Sequence, residues 1–195
     1  MTDLVVGDDG RSRCAWGVSD PLYVPYHDDE WGRPLRDERA LFELLTLEAF
    51  QSGLSWLTIL RKRPGFRAAF DGFDVDKVAA YGGDDRARLL ADTAIVRNVA
   101  KVDATIANAQ ATVALHDQGR TLGDLVFSHT PPAEERPAGR YHALSELPAA
   151  TPSSAALAKE LKRSGFRFVG PTVAYAFMQA AGVVDDHLEG CWVEA

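Results

Sequence analysis

Cys14 and Cys191 stand near opposite ends of a 195-residue chain that has no other cysteine. Each has a histidine at short range: His27 follows Cys14, and His187 comes just before Cys191. Two thiolates and two imidazoles satisfy a tetrahedral zinc ion, and the His187-x-x-x-Cys191 spacing brings both groups to one side of a helical turn or tight loop. Four protein ligands make a closed, structural site. Two unrelated thiols beside two ordinary histidines is the plainer alternative, but the pairing of both cysteines weighs against it. A disulfide is the less favoured use in a reducing cytosol. The constraint on the fold is severe, because one zinc ion per chain would clasp the N-terminal segment to the C-terminal tail. His116, His129 and His142 have no such partner in the sequence and are read as solvated.

A chain of this length buries roughly 70% of its unfolded surface, so its core forms without covalent help and any metal has a local task. With 46% hydrophobic and 25% charged residues it has the composition of an ordinary soluble globular protein. Residues 1–12 carry Asp3, Asp8, Asp9 and Arg11 and no apolar signal segment, and are expected to be a flexible extension ahead of one domain over 13–195. No run approaches the ~18 apolar residues of a membrane span, which points to a cytoplasmic protein with no membrane partner. The formal charge of -7 excludes a protein that coats nucleic acid by bulk charge. It leaves room for a local contact with a shallow salt dependence.

Helical spacing dominates, and alternating runs bounded by hairpin turns are absent, so the expected class is all-α. Asp37 caps a helix to about Gln51, with Leu41, Leu44, Leu45 and Leu47 near one face and Gly53 as a stop. Leu54 to Leu60 reads as a short apolar segment ended by Arg61-Lys62-Arg63-Pro64. Asp74 caps a short helix that ends at Gly82-Gly83, and another begins near Asp84. From Arg97 to about Leu115, the spacing of Val99, Val102, Ile106, Ala109 and Val113 predicts an amphipathic helix closed by Gly119. Residues 131–152 are proline-rich and read as an irregular connection. Ser153 or Ser154 then caps a helix to about Arg163, a glycine-flanked turn follows, and Pro171 opens a helix ending at Gly182.

Glu48 falls on the leucine face of the first of these helices. A charge turned toward a core is paired, hydrogen-bonded or functional, since leaving it bare costs several kcal/mol. Trp16, Tyr23, Tyr26, Trp31 and Trp56 all lie close to it in sequence. Flat aromatic faces beside one buried carboxylate suit a planar, cationic or amine-bearing ligand. The glycine-flanked turn suits a phosphate: its backbone permits close approach, the Pro171 helix offers free N–H groups, and Arg163 and Arg167 flank it.

Several stretches occur in one order: Arg13-Cys14-Ala15-Trp16, Asp20-Pro21-Leu22-Tyr23, Tyr26-His27-Asp28-Asp29-Glu30-Trp31-Gly32, Leu47-Glu48 with Gln51-Ser52-Gly53-Leu54-Ser55-Trp56, Gly165-Phe166-Arg167-Phe168-Val169-Gly170-Pro171-Thr172, and Asp186-His187 with Gly190-Cys191. In these the chain resembles the type I 3-methyladenine DNA glycosylases, a branch of the helix-hairpin-helix repair glycosylases. The resemblance implies an all-α glycosylase fold with its helix-hairpin-helix at about 154–182. It also implies a monomeric, monofunctional enzyme that releases 3-methyladenine from alkylated double-stranded DNA and leaves an abasic site. Glu48 would be the catalytic, base-recognising carboxylate. Tyr26 and Trp56 would stack on the extruded base, with Tyr23, Trp16 and Trp31 completing the pocket. Gly165, Phe168, Gly170 and Thr172, with Arg163 and Arg167, would hold the DNA backbone, and Leu54 would enter the gap left by the flipped nucleotide. Cys14, His27, His187 and Cys191 would hold the structural Zn2+.

The chain departs from the family pattern at Val99, where a basic residue is common, at Phe50, and at Phe127-Ser128-His129. Asp185 and Asp186 lie where other helix-hairpin-helix glycosylases keep an aspartate, and the resemblance gives them no role. Two other classes remain compatible with the residues: a non-enzymatic zinc module that binds DNA without releasing a base, and a small-ligand binding protein using the aromatic cage.

Overall fold

The computed structural model describes residues 3–194; Met1 and Thr2 of the expected extension, and Ala195 of the expected domain, lie outside the described residues. The fold is mostly helical, with 57% helix and 3% strand. Among the described residues no helix is long and apolar enough to cross a membrane.

The strand content sits where the sequence predicts a flexible extension. β1 (Leu4–Val6) pairs antiparallel with β2 (Ser12–Cys14), Leu4 facing Cys14 across the ladder. Three-residue strands are too short to carry a readable alternation, and tertiary contacts hold them instead. Leu4 packs on Cys14, Leu188, Cys191 and Val193, and the Trp192 amide donates to the Ser12 carbonyl at 2.8 Å. The N-terminal hairpin is therefore tied to the C-terminal tail.

α1 (Tyr23–Pro25) widens directly into a π-helical turn over Tyr26–Glu30. Asp37 then caps α2 (Glu38–Gln51), accepting from the Ala40 amide at 2.8 Å as the sequence predicts. Every residue from Leu41 to Phe50 is buried, because α3 (Trp56–Ala69), α6 (Val99–His116), α7 (Leu122–Phe127) and α9 (Pro171–Ala180) pack around this axis. α3 runs through Pro64 rather than stopping before it. Pro64 removes one internal hydrogen bond, and burial of Phe66 and Ala69 beyond it carries the helix on. Asp74 caps α4 (Val75–Ala79), and α5 (Gly83–Ala91) precedes α6.

The face α6 buries is rotated from the predicted one, keeping Val102 and Ala109, both fully buried, but not the rest of the stripe. Val99 is 51% exposed and Ile106 and Val113 are half-buried, whereas Lys101, Thr105, Asn108 and Thr112 are buried. Spacings of three and four residues fit two adjacent stripes equally well. The polar stripe is admitted inside because each of its side chains finds a hydrogen-bond partner.

Residues 131–151 form the irregular connection expected of them, with only short turns at 133–135 and 144–146. α8 (Pro152–Arg163) is capped by Thr151, two residues before Ser153 and three before Ser154, the predicted caps, with Pro152 at its first residue. The Thr151 hydroxyl accepts from the Ser154 amide at 3.1 Å, and Ser154 Oγ accepts from the Thr151 amide in return. α8 and α9 pack together across the turn at 164–170.

Gly182 ends this pair at φ +66°, under the backbone of Arg33 and Pro34. A Cβ there would overlap Arg33, in a region where Leu35 donates to the Ala181 carbonyl at 3.0 Å. Gly182→Ala is expected to destabilise the protein by about 3 kcal/mol in denaturant titrations. A change below about 0.5 kcal/mol would contradict this close approach.

Candidate functional site

A cavity of about 290 Å3 opens beside the middle of α2, lined by Trp16, Tyr23, Tyr26, Trp31, Glu48, Gln51, Trp56, Ala176 and Gln179. All six pocket residues expected from sequence meet here. Trp16 stands edge-on to Trp31 at 5.0 Å and to Tyr23 at 5.7 Å, and Tyr26 and Trp56 lie 5.4 Å apart at 45°. The π-helical turn lets consecutive residues serve different walls, Tyr26 facing this cavity and His27 the cysteines. Gln179 and Ala176 were not foreseen, since only tertiary packing brings α9 to the pocket. The Gln179 side-chain amide donates to Asp186 at 2.7 Å, and the Tyr175 hydroxyl donates to the same oxygen at 2.6 Å. Asp185 pairs with Arg140 at 2.6 Å. A larger cavity of about 490 Å3 lies under the 131–141 connection, and no candidate residue lines it.

Glu48 is 5% exposed, and among the described residues no cation or hydrogen-bond donor reaches its carboxylate. Glu43, one and a half turns earlier on α2, is also buried but accepts from Arg63 at 2.5 Å and from Arg67 at 2.9 Å. The helix thus carries one neutralised carboxylate and one left bare. Burial alone pushes Glu48 up to about 8. Moving its anion from water into this site costs roughly 5 kcal/mol, a cost that a cationic or N–H-bearing ligand would offset. Burial, and then the charge of Glu48, also raise the Tyr26 phenol. Trp56 Nε1 is buried without a partner at the same site.

The four residues at the chain ends form a second, closed cluster. Cys14, His27, His187 and Cys191 are all buried, and their ligand atoms lie within 4.8 Å of one another. Cys191 Sγ is 3.6 Å from His27 Nε2 and 3.7 Å from His187 Nδ1. Zinc bonds of about 2.3 Å to sulfur and about 2.0 Å to nitrogen, at the tetrahedral angle, give a sulfur–nitrogen edge of about 3.5 Å, close to these distances. The far ring nitrogens are engaged as second partners should be: His27 Nδ1 with Asp28 at 2.8 Å, and His187 Nε2 with the Trp31 carbonyl at 3.1 Å. Asp28 in turn accepts from Arg13 and from Trp192. Contact with Cys191, then burial, raises the Cys14 thiol, while the same contact and both histidine rings lower Cys191 toward the thiolate a metal binds. These donors could hold a metal ion. The cluster also backs the aromatic wall, with His187 4.7 Å from Trp31 and His27 5.1 Å from Trp16.

The turn between α8 and α9 has the predicted shape. Gly165 (φ +98°) and Phe168 (φ +56°) adopt left-handed backbone, and Gly170 is the N-cap of α9. Phe168 is 41% exposed, Thr172 is exposed, and the Arg163 side chain is largely free in solvent. Arg167 contributes its backbone inward, to Asn108 of α6. Leu54, 38% exposed, projects from the loop between α2 and α3. His116 and His129 are not simply solvated: they meet Glu38 at 2.9 Å and Glu160 at 3.3 Å. These partly exposed carboxylates belong to elements far away in sequence, so the pairings are a tertiary feature that spacing does not show.

This fold and pocket define a base-excising class, and comparison narrows it. A model of the methyladenine glycosylase family matches residues 16–194. The chain is 46% identical over 182 residues to DNA-3-methyladenine glycosylase 1 of Escherichia coli K12, covering 92% of this chain and 95% of that protein. It is 40% identical to DNA-3-methyladenine glycosylase of Haemophilus influenzae, covering 92% and 96%. A crystal structure of 3-methyladenine DNA glycosylase I superposes with a TM-score of 0.87 at 46% identity, covering 94% of this chain and all of that one. The chain belongs to the methyladenine glycosylase family.

The pH dependence of Glu48 follows from its raised value. The stability it contributes is present below about 4.5 and is lost as pH rises through about 8. Glu48→Gln is therefore expected to match the parent in thermal melts near the lower value and to exceed it by a few kcal/mol above the higher one. Parallel pH profiles for the two proteins would contradict a bare, buried carboxylate.

Proposed function

We propose that residues 13–195 form one DNA repair glycosylase domain that hydrolyses the N-glycosidic bond of 3-methyladenine in alkylated double-stranded DNA, releasing the base and leaving an abasic site. The observation that carries this reading is Glu48, bare and buried in a cavity walled by aromatic rings. The names of the relatives agree, and a related structure at 36% identity and a TM-score of 0.85, covering 92% of this chain and 96% of that one, is described as a complex with 3-methyladenine.

Methylation at N3 makes adenine cationic and weakens its bond to the sugar, so little acid or base catalysis is needed. Tyr26 and Trp56 stack on the extruded base, while Trp16, Tyr23 and Trp31 exclude water around it. Glu48 accepts hydrogen bonds from the amine donors of the base, and the cationic base favours the ionised carboxylate there. Water completes the hydrolysis at the sugar. Lys101 is buried and committed to two backbone carbonyls, consistent with a monofunctional enzyme that cleaves no strand.

The α8–α9 pair holds the DNA backbone through Gly165 to Gly170 and the first turn of α9, with Thr172, Arg163 and Arg167 close by. Leu54 occupies the gap left by the extruded nucleotide. Cys14, His27, His187 and Cys191 hold one zinc ion, whose contribution is structural: it joins the two ends of the chain and supports the wall behind Trp16 and Trp31.

Incubation with methylated duplex DNA and chromatography of the released bases is expected to yield 3-methyladenine well above the spontaneous rate. Glu48→Gln should lower the release, and weaken binding of the free base, by about tenfold or more. No release above the spontaneous rate would overturn the enzyme reading. Metal analysis of purified protein is expected to find about one zinc per chain, and a metal-free, fully folded protein would remove that assignment.

A further inference from the structure

The buried polar stripe of α6 is not explained by base recognition or by the metal cluster. Lys101 and Asn108 are 7% and 1% exposed and lie seven residues apart, which is two helical turns on one face. Lys101 Nζ donates to the carbonyls of Phe50 and Ser52 at 2.8 and 2.6 Å, at the C-terminal end of α2. That end leads straight into Gly53 (φ +81°) and the exposed Leu54. Asn108 Nδ2 donates to the Arg167 carbonyl at 3.2 Å, and its Oδ1 accepts from the Arg167 amide at 2.7 Å. Both polar groups of one peptide residue are thereby fixed, immediately before Phe168 in its left-handed conformation. Ala111 supports the same turn, since a Cβ on Gly165 would sit 3.6 Å from it.

A buried lysine and a buried asparagine are costly unless their bonds are used, and apolar residues would fill this face more cheaply. Here both side chains end on backbone that borders a loop, Lys101 on the last turn and cap residue of α2 and Asn108 on the turn between α8 and α9. We infer that α6 acts as a rigid spacer between the two DNA-facing loops. Lys101 and Asn108 are positioning residues that set the separation of the Leu54 loop from the Gly165–Gly170 turn. A helix rises 1.5 Å per residue, so the two anchor points are held about 10 Å apart along its axis. A duplex is then met by a preset pair of contacts, one entering the stack and one on the backbone. The inference rests on the glycosylase reading, because it requires both loops to engage the same DNA.

The test uses Lys101→Met and Asn108→Leu, which keep volume and remove the hydrogen bonds. Affinity is measured for a duplex containing an abasic-site analogue, by anisotropy, and for free 3-methyladenine, by tryptophan quenching. Each variant is expected to lose about tenfold in DNA affinity while free-base affinity stays within about twofold. Unchanged DNA affinity in both variants overturns the inference. So does a parallel loss of DNA and base affinity, which is what a merely structural role would produce. Should Asn108→Leu fail to fold, Asn108→Ser carries the same comparison, and hydrogen exchange at the Arg167 amide of the unaltered protein gives an independent reading. Protection of that amide supports the anchor, and rapid exchange overturns it. Unaltered protein that releases no 3-methyladenine overturns the glycosylase reading, whatever the two variants do.

Discussion

A helix enclosed on every side must satisfy its neighbours in all directions, and α2 does so with Leu41, Phe42, Leu45, Leu47 and Phe50, none of which is exposed. The other helices take their places from this axis: α3, α6, α7 and α9 each pack against it. Because the axis is so well packed, it can carry Glu48 without a partner. The apolar burial of the surrounding side chains, each worth about 1.5–3 kcal/mol, offsets the cost of that one carboxylate. The bare carboxylate of the molecule is thus a local deficit held in place by a tightly packed part of its core.

The same axis was the most legible part of the sequence. Asp37 as cap, the leucine spacing and Gly53 as stop are local signals, and each does its local task. The pocket aromatics and the four metal-type ligands were legible for a different reason, since uncommon residue types gathered in short stretches stand out. What escaped depended on long-range partners. Glu43 carries no sign of burial in its local spacing, and only α3 brings Arg63 and Arg67 to neutralise it, just as Gln179 joins the pocket only because α9 lies across α2. The spacing along α6 does not say which of two neighbouring stripes faces inward, because Lys101 and Asn108 are drawn inside by backbone groups far away in sequence. Residues 4–14 misled because their strands are held by the tail and not by their own pattern.

The net charge of -7 fits this division of labour. Exposed groups around the α8–α9 turn include backbone N–H donors and an arginine, and two apolar side chains, Leu54 and Phe168, stand out from loops that α6 holds. Such a face relies on shape and on a few directed contacts more than on long-range attraction. Under the proposed function, such a face would concentrate recognition at the distorted nucleotide, since an intact duplex offers no gap to fill.

The tie between the hairpin at 4–14 and the tail at 188–193 makes the polypeptide a closed ring in space, although it is linear in covalent terms. A ring can be opened elsewhere without being lost. A cut within the irregular 131–151 connection would leave two pieces still held at their outer ends and across α2, α8 and α9. Separating the 4–14 hairpin from the 188–193 tail, by contrast, would release both the metal-type ligands and the wall behind the pocket.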